Sequence, residues 1–138
     1  MFRHVGIVVD NIDSMLFFYS EIMDLDVISD EIEEGEFLNK ILGLKSIDAR
    51  VIKLGKESKT IVELLKFNRD DSTEKKTLLG KGITHFALTV SDLDKLYIKL
   101  IDYGLTIINE PQISNNEKFK VCFCKDPEDN YIELVEIL

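Results

Sequence analysis

The chain has 138 residues, of which 45% are hydrophobic and 31% charged, a composition that fits one compact domain of about 100 to 200 residues and excludes global disorder. Its formal net charge of −9 repels phosphate backbones and anionic lipid, so neither nucleic acid nor a membrane surface is an expected partner. No apolar run approaches the roughly 18 residues of a membrane span, and MFRHVGIVVD lacks the basic, apolar and small-residue regions of a signal peptide, so a cytoplasmic protein is the expectation.

In chain order, residues 3–9 alternate in a β-branched pattern that predicts a strand, with Asp or Ser as the cap of a helix over 12–23. Strands follow over 25–31, 48–55 and 60–67. Between the second and third strands, in segment 30–46, Phe37, Ile41 and Leu44 recur at helical spacing, which predicts a short amphipathic helix; it serves either as a lid or as a dimer contact or ordinary core packing. The polar stretch RDDSTEKKTLLGKG, residues 69–82, reads as a solvated linker. A second series then begins: a strand over 83–90, a helix over 92–103 closed by Gly104, and strands over 105–109, 118–124 and 130–137. Cys122 and Cys124 in VCFC point the same way along a strand and match neither a CxxC motif nor a disulfide framework, so they read as reduced core thiols.

Sliding the chain along itself shows that the two series are copies. Shifted by 81 positions, His4, Val9 and Asp13 fall on His85, Val90 and Asp94; shifted by 70, RVIKL from Arg50 meets KVCFC from Lys120, and Glu63 lands on Glu133. The fold class is therefore α+β, with two tandem βαβββ modules in a single domain 1–138: module one 1–68, linker 69–82 and module two 83–138.

The only two histidines, His4 and His85, share one repeat position, and so do Glu63 and Glu133, each inside a final strand otherwise built from Ile, Val, Leu and Tyr. A carboxylate in such company is costly to bury unless it is paired or bound to a metal. Two imidazoles and two carboxylates suit a divalent first-row metal with positions open for water or substrate; the plainer reading is a pair of edge-strand glutamates facing water. Alternation sets Gly6 and Val8 beside His4, and Ala87 and Thr89 beside His85, leaving room around the imidazoles. Arg3, Lys45 and Arg50 are candidates for an anionic substrate tail, or else solvated charges.

RHVGIVVDNIDSMLFFYSEIMDL with IVELL, and THFALTVSDLDKLYIKLIDYGL with KDPEDNYIELVE, resemble the vicinal oxygen chelate superfamily over nearly the whole chain. That resemblance implies a cupped mixed sheet with helices on its outer face, a divalent ion (Ni, Co, Zn, Fe or Mn) on His4, Glu63, His85 and Glu133, a small-molecule substrate and a homodimer. The family commonly has Gly after its Asp-Pro-X turn where this chain has Asp129, a residue that tolerates a left-handed turn. Its ligand set is similar to that of the lactoylglutathione lyases. The CoA-thioester epimerases usually have Gln at the position of Glu63, the extradiol dioxygenases need a further histidine, and the metal-free drug-binding members lose the ligands. The implied activity is a metal-dependent lyase or isomerase that moves a proton next to a chelated carbonyl, with Glu133 as first candidate base and Glu63 as second. The alternatives are a non-catalytic small-molecule binding protein or an epimerase of a CoA thioester.

Overall fold

The computed structural model describes residues 2–68 and 77–138, so most of the expected linker, residues 69–76, lies outside the described residues. The backbone divides into two compact units, Met1–Thr73 and Glu74–Leu138. The first runs β1 (Val5–Val8), α1 (Ile12–Phe17) continued by a π-helical turn (Phe18–Ile22), β2 (Asp26–Glu33), α2 (Glu36–Leu42), β3 (Ala49–Lys56) and β4 (Lys59–Phe67). The second runs β5 (His85–Thr89), α3 (Leu93–Asp102), β6 (Gln112–Ile113), β7 (Phe119–Lys125) and β8 (Tyr131–Ile137). The sheets have strand orders β1-β4-β3-β2 and β5-β8-β7-β6. In each, the first strand pairs in parallel with the last and the remaining pairs are antiparallel. Both units are thus the βαβββ modules that the repeat implies.

Local chemistry sets these elements. Asn11 Oδ1 accepts the Ser14 N–H at 3.1 Å to open α1, and Asp92 Oδ1 accepts the Lys95 N–H at 2.9 Å to open α3. The first helix is thus capped by Asn11 rather than by the Asp or Ser expected from the sequence. Gly104, at φ +67°, stops α3 in the left-handed conformation. The β3–β4 hairpin turns on Glu57 and Ser58, both at positive φ. There Gly55 is obligatory, since a Cβ on it would lie 1.8 Å from the Lys59 carbonyl oxygen. That hairpin fixes the register in which Lys53 stands opposite Glu63.

Each sheet buries one face against its own helix. Ile52, Leu54, Val62 and Leu64 in the first unit, and Cys122, Cys124, Ile132 and Leu134 in the second, are fully buried, as are Met15, Phe18, Leu93 and Leu100 from the helical segments. An ion pair from sheet to helix recurs at the same repeat positions, Arg50 to Asp13 at 3.0 Å and Lys120 to Asp94 at 2.6 Å. Alternation then puts His4, Gly6, Glu63 and Lys53, and likewise His85, Ala87, Glu133 and Phe123, on the face away from the helix.

Three expectations need correction. The strand expected over 105–109 is reduced to a single bridge, Ile107 to Cys124. The ladder there is taken over by the Asn109 side chain, which accepts the Phe123 N–H at 2.9 Å, and regular pairing returns only at β6, beyond Pro111. The helix expected from Phe37, Ile41 and Leu44 exists as α2, but Phe37 is 76% and Ile41 60% exposed while Leu38 is the buried residue, so those three side chains are not core packing. Finally, His4 sits one residue before β1 rather than within it.

Candidate metal centre

Each unit holds one histidine–glutamate pair built in the same way. Glu63 on β4 stands opposite Gly6 on β1, and His4, two residues earlier, turns its Nε2 to Glu63 Oε2 at 3.4 Å. Glu133 on β8 stands opposite Ala87 on β5, and His85, again two residues earlier, brings Nε2 to Glu133 Oε2 at 3.6 Å. The residue facing each carboxylate across the parallel pair is Gly or Ala. The four ligands expected from the sequence are therefore brought together two by two, and among the described residues no group of three or more His, Cys, Asp or Glu side chains forms a cluster able to hold a metal.

The surroundings of the two pairs differ. In the second unit His85 Nδ1 lies 3.1 Å from Thr84 Oγ1, and the ring packs edge-on against Phe123 with centroids 5.2 Å apart. In the first unit His4 Nδ1 is buried and has no hydrogen-bond partner among the described residues. The place of Phe123 is taken there by Lys53, whose Nζ lies 3.4 Å from Glu33 Oε1 and 3.8 Å from Glu63 Oε1. Reading the sequence for histidines and carboxylates alone misses Lys53, Phe123 and Thr84. The signal was present, because the alignment of RVIKL on KVCFC places Lys53 on Phe123.

Other candidates fall elsewhere. Arg50 lies on the helix side of its sheet, where its guanidinium donates two hydrogen bonds to Asp30 at 2.9 and 2.7 Å and one to Asp13 at 3.0 Å. Those bonds raise its proton affinity further and hold the Asp30 carboxyl below its ordinary range, so Arg50 is committed to structure. Arg3 and Lys45 are exposed. Burial pushes the Cys122 thiol up to about 11 and the Cys124 thiol to about 12, consistent with the expected inert, unpaired core cysteines. At the entry to β8, Asp129 adopts φ +68°. Asp126 Oδ1 accepts the backbone N–H groups of Glu128 and Asn130, both at 3.0 Å, so the turn forms without glycine.

A family model described as the Glyoxalase/Bleomycin resistance protein/Dioxygenase superfamily matches residues 2–134. The chain belongs to this superfamily. It is 28% identical over 134 residues to a probable lactoylglutathione lyase of Synechocystis, covering 96% of this chain and 92% of that protein. It is 26% identical over 136 residues to a lactoylglutathione lyase of Arabidopsis thaliana, covering 98% of this chain and 44% of that one. Among solved structures, a glyoxalase family protein from Bacillus cereus superposes with a TM-score of 0.87 at 23% identity, covering 99% of this chain and 93% of the other. The trypanothione-dependent glyoxalase I of Leishmania major gives 0.67 at 22%, covering 96% and 84%. These structural likenesses establish a glyoxalase-type fold. Among the described residues no helix is long and apolar enough to cross a membrane.

Proposed function

We propose that the chain is a divalent-metal-dependent lyase or isomerase of the glyoxalase type. In this reading His4, Glu63, His85 and Glu133 hold one ion together, and Glu133 moves a proton beside a substrate carbonyl. The observation that carries it is the recurrence of one histidine–glutamate pair at the same register in two units that otherwise differ. The donor set suits Ni, Co, Zn, Fe or Mn. The contact of His85 Nδ1 with the Thr84 hydroxyl leaves Nε2 as the ligating nitrogen, the arrangement in which an outer partner orients a metal-bound imidazole. The enclosed Nδ1 of His4 likewise leaves Nε2 as the nitrogen directed at a carboxylate.

A bound divalent ion supplies polarisation of two adjacent substrate oxygens. The chain's own part is to place a base beside the carbon whose proton becomes acidic. Glu63 is engaged on both oxygens, by His4 at Oε2 and Lys53 at Oε1, whereas Glu133 is met by His85 at Oε2. The latter therefore has the greater freedom to leave the ion and accept a proton. Phe123, standing opposite Glu133, and Tyr131 and Val135, flanking it on the same face, limit water around that step. The names of two relatives, both lactoylglutathione lyases, support a lyase of this kind; the substrate proposed with it is the hemithioacetal of a 2-oxo aldehyde, and the form proposed is a cytoplasmic homodimer.

The test is solvent-deuterium incorporation with methylglyoxal and a small thiol. Glu133→Gln keeps one ligating oxygen, so it should retain metal while losing exchange by about 10²- to 10⁴-fold. Equal rates in parent and variant would remove Glu133 as the base and make Glu63 the residue to replace.

A further inference from the structure

Lys53 enters the reaction outlined above only as a partner that restrains Glu63. It faces Glu63 directly across the β3–β4 pair, a position from which side chains on one sheet face interact. Lys53 is 31% exposed and Glu63 17%, so the ammonium and the carboxylate meet partly out of water. Glu33, near the end of β2, meets the same ammonium at 3.4 Å, nearer than Glu63 at 3.8 Å. One cation is thus shared by two carboxylates, and only one of these belongs to the proposed ligand set. The second unit has Phe123 at the corresponding position, so the ammonium is not a requirement of the βαβββ fold.

Resting on the metal-site reading above, we propose that Lys53 is an internal counter-cation of Glu63 that competes with the divalent ion for this carboxylate. Glu33 is the carboxylate that holds Lys53 aside when the ion binds. The physical reason is charge: a divalent ion held by Glu63 would repel an ammonium that meets the same carboxylate at 3.8 Å, in a place only partly open to water. Lys53 lowers metal affinity, and Glu33 limits the loss by giving the ammonium another partner.

The measurement is the Zn²⁺ dissociation constant of the full-length protein, obtained by competition with a chromophoric chelator at one pH and ionic strength. Lys53→Met keeps the aliphatic stem and should bind about tenfold more tightly than the parent. Lys53→Arg keeps the charge and should bind no more tightly than the parent. Glu33→Gln leaves the ammonium to Glu63 alone and should bind several-fold more weakly. If Lys53→Met binds equally or more weakly while the parent binds Zn²⁺ well, the counter-cation assignment is wrong and the metal reading stands. If the parent retains no Zn²⁺ at all, both fall.

Discussion

The two units put a histidine and a glutamate at the same two points of the same sheet and then surround them with different chemistry. In the first, the carboxylate shares an ammonium with Glu33 and the imidazole has a buried nitrogen without a hydrogen-bond partner among the described residues. In the second, an aromatic ring packs on the imidazole and a hydroxyl meets its outer nitrogen. The helix side shows the same divergence, with Ile52 and Leu54 of the first unit replaced by Cys122 and Cys124 in the second. What stays constant is the geometry that the βαβββ topology imposes, namely the parallel pairing of first and last strands and the small residue opposite each carboxylate. What varies is the set of side chains around each pair. The same backbone therefore carries two histidine–glutamate pairs in different surroundings.

Truncation in the cores should cost the most. Leu64 and Leu134 are fully buried at equivalent positions, so replacing either by Ala should cost about 2 to 5 kcal/mol of unfolding free energy, read from urea denaturation. If the units depend on their sheets to the same extent, the two losses agree. A much smaller loss for Leu134→Ala would show that the smaller cysteine side chains beside it let that core collapse around the cavity.

A finer contrast lies at the helix caps. Asn11→Ala and Asp92→Ala each remove a side-chain acceptor from a backbone N–H, and each should cost about 1 kcal/mol. Thermal melts of the two variants and the parent check this, and an unchanged melt for either would mean that water replaces that cap.

The smallest expected effect is on pH dependence. Asp30 is held below its ordinary range, chiefly by hydrogen bonds from Arg50, so its contribution is present above the unfolded value of about 3.9 and is lost as pH falls through the lower folded value. In the second unit Lys120 is shifted upward, chiefly by its hydrogen bond to Asp94, so its contribution is present below the unfolded value of about 10.4 and is lost as pH rises through the folded one. The Asp30–Arg50 pair of the first unit thus weakens on the acid side and the Lys120–Asp94 pair of the second on the alkaline side. Melts of Asp30→Asn and Lys120→Met across both ranges should show the variants closing on the parent at opposite ends.

Much of this architecture is legible in the sequence because it is written twice. His4 with His85 and Glu63 with Glu133 are recognisable as pairs by repeat position alone, and the structure sets each histidine beside its own glutamate. Residues whose role comes from cross-strand register are harder to read. Lys53 matters because the hairpin at Glu57 and Ser58 puts it opposite Glu63, and no local pattern announces that. The irregular pairing of residues 106–108 escapes for a related reason: a side chain, Asn109, takes the place of a backbone group in the ladder. Helix α2 was legible as a helix, but its spacing of Phe37 and Ile41 could not tell a buried stripe from an exposed one.

Metal stoichiometry decides whether the two equivalent pairs act on one divalent ion, as proposed above. Freshly purified parent, His4→Ala and His85→Ala should be analysed by inductively coupled plasma mass spectrometry, with circular dichroism to confirm folding. One ion per chain in the parent, abolished by either substitution, is the result expected, and it holds whether the pairs come from one chain or from two copies. Full metal occupancy in both folded variants would contradict the claim.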